Sequence, residues 1–573
     1  MKFIVVAEKG NVAKIIERVL SRYGVNLIAL ATNGHVMDSE LPVGYEWGKV
    51  DPKEIFDVVG RLRMVVRRRK VYNRLRKVFM RTNGVLVVAT DNDPEGELIG
   101  FEILMIYRRV RGDARYFRMR FNSVDEKEIL RAWRNLEKEL NWRWVYKALF
   151  RQKFDLVTGA AFTRFLTSLT RKHVNVKLVS WGSCQTPTLY FVVEREREIE
   201  RFKPETYWYL EAKMRSGDYI FSLRTDRIWS QKEAIELFVK VRPVKFGKVV
   251  LYREVYSTIQ RPLPLMTDYL LKDISRITGL SASRILNIAE ELYSSGYISY
   301  PRTETDIYRK DFDFNAPLQA VLLSDLGPLI KPFISYLPRP RNGRHDDQAH
   351  PPIYPLKPYP LEKSNKRVIW EYVARRFIAN AFTSDAKLCV QKVEVEVGGI
   401  IFKTIGQYLS EEGFYRVYPY FKPKEKRLPK LREGELLEIV NIKLCRDKTK
   451  PPARLSEANL IELMVRNGIG TDATRAMFPK IITERGYSIK RKGRFIPTKL
   501  GRKFIEALEL VDKKLVTPET RRYVEELMRK IELGQISMEE ALNEAIRKYK
   551  ELFELCERKS DFIEKILVEG CQA

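Results

Sequence analysis

Two stretches of the chain share one order of apolar and polar positions. In "KFIVVAEKGNVAKIIERVL" an unbroken apolar run gives way to apolar residues at Val12, Ile15, Ile16, Val19 and Leu20, the spacing of one helix face. "GVLVVATDNDPEGELIGFEILMIYRRV" repeats that order. Each predicts a short buried strand, a tight turn and a helix, and two such units predict an open α/β sheet whose site lies along the carboxyl ends of its strands. This unit runs to about residue 140. Residues 141–205 read as helical and basic, whereas 206–260 alternate as strands, for example "YWYLEAKM" and "KVVLYREVY". Alternation returns in "LCVQKVEVEVGGIIFKTIG", at 388–406. One β domain, interrupted by an insertion that starts near Arg261-Pro262, accounts for both stretches. Residues 338–360 hold seven of the 27 prolines, which predicts an extended, ordered loop or linker.

Two further segments, "SASRILNIAEELYSSGYISYP" and "TDATRAMFPKIITERGYSIKRKGRFIPT", place a helix, then Gly-Tyr, then a strand. The second continues into a basic hairpin. Each resembles a winged helix, a unit that often sets a helix against nucleic acid.

The length of 573 residues exceeds what one hydrophobic core supports and predicts roughly three to five domains. Lys and Arg number 104 against 74 Asp and Glu, a formal charge of +30, which suits a polyanionic partner such as nucleic acid. Five cysteines, at 184, 389, 445, 556 and 571, include no Cys-x-x-Cys pair, so no zinc site is expected. The N-terminal apolar run is too short for a signal peptide and no segment has the roughly 18 apolar residues of a membrane span. The expectation is a soluble, reduced, intracellular protein with no membrane partner.

Candidate chemistry gathers at two places. After the apolar run Val85–Ala89 comes "TDNDPEGE", where Asp91, Asp93 and Glu95 stand close enough to repel one another at a strand end. In so basic a chain three such carboxylates suit a hard divalent cation such as Mg²⁺. An acidic helix start would by itself explain one or two of them. Glu8 ends the first strand and projects onto the same sheet edge. The second place is "SSGYISYPRTETDIY", where Tyr300 stands at a turn fixed by Pro301 and is followed by Arg302. A phenol needs a nearby cation or base to attack phosphorus. The Arg302 fork can bind two phosphate oxygens and the charge that grows on them. Attack by tyrosine on a phosphodiester yields another phosphodiester, so the strand can be rejoined without ATP, and no G-x-x-x-x-G-K-[ST] loop occurs.

The motifs "AEKGNVAKII", "ATNGHV", "TDNDPEGE", "VSWGSCQTPTLYFVVERE", "LYSSGYISYPRTET", "HDDQAHPPIYP" and "NGIGTDATRA" occur in that order. With them the chain resembles the type IA DNA topoisomerases, most closely the topoisomerase III branch of archaea and eukaryotes. Gly182-Ser183-Cys184-Gln185 stands where bacterial members commonly have Gly-Arg-Val-Gln, and Leu356 where Thr is common.

The resemblance implies a multidomain α/β and α+β fold arranged as a toroid. Its parts would be a Toprim (Rossmann-like) metal-binding domain at 1–140, a helical DNA-groove domain at 141–205 and 448–573 with winged-helix-like character, a β-rich hinge domain at 206–260 and 386–447, and an inserted domain at 261–385 bearing the catalytic tyrosine. It implies Tyr300 as nucleophile, Arg302 assisting it, Glu8 as general acid and Lys9 orienting the phosphate. His350 would be an active-site histidine, and Asp91, Asp93, Glu95 and Glu8 would hold Mg²⁺ or Mn²⁺, with neither zinc nor ATP. Gln185, Thr471, Arg475, Arg118 and His35 match positions associated with DNA binding. The expected substrates are single-stranded DNA and negatively supercoiled or catenated DNA, relaxed or decatenated through a 5′-phosphotyrosine intermediate. A monomer is expected, cytoplasmic and associated with the nucleoid, with a helicase as candidate partner. The residues alone leave two rivals open, a Toprim nuclease and a non-catalytic single-strand-binding protein.

Overall fold

A computed structural model describes residues 2–471 and 474–572; Asp472 and Ala473 of the "NGIGTDATRA" motif lie outside the described residues. Strand β1 (Phe3–Ala7) pairs in parallel with β2 (Leu27–Ala31) on one side and β3 (Val85–Ala89) on the other, and β4 (Tyr116–Arg118) pairs with β3, giving the order β2-β1-β3-β4. The apolar run in β1 is unbroken because both faces of the sheet are covered. Ile4 and Val6 enter one hydrophobic core, Val5 and Ala7 the other. Helices follow at the carboxyl ends of β1 and β3, over Gly10–Arg22 and Pro94–Arg111.

The long helix Trp142–Arg171 packs on helices Glu519–Leu533 and Met538–Arg558, so segments before and after the barrel build one helical body. Between them six strands close a barrel: β5 (Thr206–Ser216), β6 (Tyr219–Arg224), β7 (Phe246–Ile259), β8 (Ala386–Val397), β9 (Ile400–Glu411) and β10 (Leu436–Lys448). Alternate residues such as Leu210, Ala212 and Met214, or Val393, Val395 and Val397, fill its interior. The β8–β9 turn is Gly398-Gly399, with φ of 56° and 81°, a left-handed pair that L side chains resist.

Ile259, the last residue of β7, pairs directly with Ala386, the first of β8. The insertion between them therefore leaves and returns at one point, where Arg261 pairs with Asp385. It forms a lobe around helices Thr267–Thr278, Ala282–Ser294 and Asn365–Phe382. The proline-rich segment belongs to this lobe as an ordered strap, bridging Leu265 to Ile353 and Ile298 to Pro355.

The two winged-helix expectations part company. Strands Ser488–Arg491 and Arg494–Pro497 make the basic hairpin, turning at Lys492-Gly493, both with positive φ. After helix Ala282–Ser294 no strand forms: "YISY" contributes only the Ile298–Pro355 bridge. Tyr297 and Tyr300 instead pack edge-on against Tyr359 and Tyr293, which overrides the alternation.

The lobe touches the α/β sheet domain and, through Arg475–Asp268, the helical unit near the C-terminus. Sheet domain, helical body, barrel and lobe thus form a closed circuit, as a toroid requires. Among the described residues no helix is long and apolar enough to cross a membrane.

Candidate active site

The β3-to-helix turn sets the acids. Asp93 caps helix Pro94–Arg111: its Oδ1 accepts from the Gly96 amide at 2.6 Å. A Cβ on Gly96 would lie 2.0 Å from the Asp91 carbonyl oxygen, so only glycine lets the turn close this tightly. Asp93 Oδ2 stays free of the cap. It accepts from the Tyr300 hydroxyl at 2.6 Å, across the seam between lobe and sheet domain. A second bond, Tyr300 N–H to the Asn122 carbonyl at 3.0 Å, fixes the backbone there.

Tyr300 is only 2% exposed. Burial, then the charges of Asp93 and Asp91, push its phenol well above the usual tyrosine range, and Arg302 opposes them. Arg302 is held by Glu290, with Nε 2.9 Å from Oε1. Lys9 Nζ binds Asp91 Oδ2 at 2.8 Å and lies over the rings of Tyr293 and Tyr300. Glu8, the residue just after β1, is pushed up to about 8 by burial and by Asp91, with Lys9 working the other way. His350 stands with its ring 4.9 Å from that of Tyr300, oriented by Asp347 at 3.2 Å.

Glu95 lines the same cleft as Asp93 and His350 and has partners of its own. Arg151 and His35 bind it, and although burial works against its charge these cations lower it to about 2. His35 is in turn raised to about 10: burial opposes its charge, and hydrogen bonds to Glu102 and Glu95 outweigh that. Among the described residues no three His, Cys, Asp or Glu side chains converge as a preformed metal cage. The donor set still fits a Mg²⁺ that takes one or two carboxylates and completes its shell with water and substrate phosphate. Asp91 and Asp93, on the turn beside Tyr300, could hold it, with Glu8 and Glu95 close by.

A cleft of about 1180 Å³ opens beside these groups, lined by Asp93, Glu95, His350 and Thr471 and by Arg120, Trp142, Arg143, Trp144, Lys147 and Arg151. Arg143, Lys147 and Arg151 recur every four residues on one helix face, with two tryptophans at its start. This wall of the cleft offers cations that can bind phosphates and indoles that can stack on planar rings.

A DNA topoisomerase family model matches residues 139–543 and a Toprim domain model residues 3–124. DNA topoisomerase 3 of Candidozyma auris is 33% identical, over 99% of this chain and 96% of its own. The chain belongs to the type IA DNA topoisomerases. It is therefore an enzyme, an isomerase of DNA topology. Other relatives include DNA topoisomerase 1 of Thermoplasma acidophilum, 31% identical over 96% of this chain and 70% of its own, and DNA topoisomerase 3-alpha of Drosophila melanogaster, 33% identical, of which the match covers 47%. The fold of full-length topoisomerase I from Thermotoga maritima superposes with a TM-score of 0.75, at 21% identity, over 96% of this chain and 89% of that one.

In this topoisomerase the sequence-predicted residues divide. Tyr300, Glu8, Lys9, Arg302, His350, Asp91 and Asp93 come together, and Thr471 lines the cleft. Arg118 requires a correction: it is 0% exposed, paired with Glu97 at 2.8 Å, and it donates to the carbonyls of Thr90, Asp91 and Met119. Its task is to brace the turn that carries the acids, with no surface left for DNA. Gln185 is buried against Ser180, and Arg475 is a buried latch to Asp268. His35 holds Glu95 rather than facing the cleft. The cleft residues Arg120, Trp144, Lys147 and Arg151 escape a motif-based reading; the four-residue recurrence in "RWVYKALFR" is the available signal.

Proposed function

We propose that this topoisomerase cleaves single-stranded DNA with Tyr300, holds the 5′ end as a phosphotyrosine, passes another strand and rejoins the first, relaxing or decatenating DNA without ATP. The observation that carries the reading is the 2.6 Å bond from the Tyr300 hydroxyl to Asp93, which brings the nucleophile to the acidic turn. As the Tyr300 oxygen bonds to phosphorus, its proton is released to water in the cleft, and Asp93, bonded to that hydroxyl beforehand, orients it for attack. Arg302 and Lys9 supply positive charge to the phosphate oxygens. As the bond to the 3′ oxygen breaks, Glu8 donates its proton to that oxygen. The reverse sequence rejoins the strand, with bond energy retained in the phosphotyrosine. Mg²⁺ held by Asp91 and Asp93 would supply charge neutralisation to the phosphate.

Opening the ring would swing the lobe on its paired stalk, Ile259 and Ala386, while it carries the 5′ end. Single-stranded DNA in the cleft, a monomeric enzyme, cytoplasmic residence with the nucleoid and a helicase partner belong to the same proposal.

Labelled single-stranded DNA incubated with protein and Mg²⁺, then denatured, tests it. A covalent adduct that Tyr300→Phe and EDTA each abolish supports the reading. Hydrolysed ends from both proteins would favour the nuclease, and neither product the simple binder.

A further inference from the structure

No acidic residue occurs between Asp57 and Asp91, a stretch that contains the 13-residue helix Arg69–Arg81. Leu75 and Phe79 are buried and Val71, Tyr72 and Val78 half-buried, a normal inward stripe. Every exposed position on the helix other than Asn73 and Met80 carries a cation: Arg69, Lys70, Arg74, Arg76, Lys77 and Arg81. None of these six takes part in an ion pair or side-chain hydrogen bond among the described residues, although such pairs tie up many cations elsewhere, as at Arg63 with Glu40. Lys70, Arg74, Lys77 and Arg81 fall on one line, spaced by steps of four, three and four residues.

This arrangement works against the helix itself. Cations at its first turn oppose the helix dipole, and like charges four apart repel. An external polyanion would relieve both. The stripe also has a definite place in the molecule. Arg68, just before the helix, donates to the Thr32 carbonyl at 2.7 Å and also to that of Asn33, whose amide bonds the Glu8 carbonyl at 2.6 Å. The helix thus starts beside the catalytic edge of the sheet and ends near the start of β3, about 20 Å away by its rise.

We infer that this helix is a docking track for the double-stranded arm of the DNA substrate next to the strand being cut. Its exposed face has no aromatic residue, so it offers no stacking for unpaired bases and reads phosphates only. The aromatic surface lies in the cleft, where the single strand runs. The inference rests on DNA being the substrate and not on the covalent chemistry proposed above.

The test is equilibrium binding over a range of salt. The probes are a duplex of roughly 20 base pairs bearing a single-stranded arm and that arm alone, each sized to reach beyond the helix. The variant combines Lys70→Gln, Arg74→Gln, Lys77→Gln and Arg81→Gln. It should melt at or above the wild-type temperature and bind the arm alone as wild type does. For the tailed duplex the slope of log affinity against log salt should fall by about 3 to 4, since each phosphate that the protein no longer neutralises removes about 0.9. The charge-retaining set Lys70→Arg, Arg74→Lys, Lys77→Arg and Arg81→Lys should restore it. An unchanged slope, an equal loss on the single strand, or a loss seen only on anionic vesicles would overturn the inference.

Discussion

The Tyr300 hydroxyl donates to Asp93 Oδ2 at 2.6 Å although 207 positions separate the two residues. The other oxygen of the same carboxylate caps a helix, so one side chain ties the nucleophile to the turn that carries the acids. Asn caps helices as well as Asp. Asp93→Asn should therefore leave the melting temperature within a few degrees of wild type. Loss of its charge should slow Mg²⁺-dependent cleavage by about 10²-fold or more. Oligonucleotide cleavage read beside a thermal melt decides it, and full activity in a well-folded variant would remove Asp93 from the chemistry.

Gly96→Ala forces a Cβ into the Asp91 carbonyl, 2.0 Å away in this structure. The turn must open, which takes Asp91 and Asp93 with it. The expected cost is about 3 kcal/mol or more, in the range of overpacked or strained sites, with cleavage lost. Calorimetry and cleavage together report it; an active variant of unchanged stability would mean the turn has slack.

Glu8 carries a pH signature. Its carboxyl rises from the ordinary 4.5 to about 8 through burial and Asp91, so the fold binds a proton that the unfolded chain releases. That contribution to stability is fully present below about pH 4.5 and is lost as pH climbs through about 8. In metal-free buffer the melting temperature of wild type relative to Glu8→Gln should fall steadily between about pH 5 and pH 9. A difference that stays flat with pH would count against the buried, protonated carboxyl.

Arg475 and Asp268 latch the lobe to the helical unit near the C-terminus through hydrogen bonds of 2.5 and 2.7 Å, with both side chains largely buried. Asp268→Asn removes the carboxylate charge from this buried contact, at a cost of about 3 kcal/mol. The lobe should open more often, seen as faster limited proteolysis at its stalk around residues 260 and 385. Unaltered digestion would show that other interactions hold the ring.

The apolar run of β1 and the strand-turn-helix order of the acidic segment are legible in the sequence because both depend on neighbours a few residues apart. The same holds for the barrel strands, whose period-two alternation survives in β5 and β8. "YISY" misleads because its alternation serves packing against Tyr359 and Tyr293 rather than pairing in a sheet. The motif positions of Arg118, Gln185 and Arg475 suggest DNA binding, and nothing local to those residues records whether a side chain points outward or inward.

By itself the sequence determined the local elements, the strongly basic character and the residue types able to do phosphoryl chemistry, since propensity, periodicity and composition are short-range properties. Only the tertiary structure decided which of those groups meet. Tyr300 reaches Asp93 because a lobe that leaves the barrel at Ile259 and returns at Ala386 folds back onto the sheet edge. That closure comes from burying surfaces far apart in the chain, and the same burial turned Arg118 from a surface cation into an internal brace.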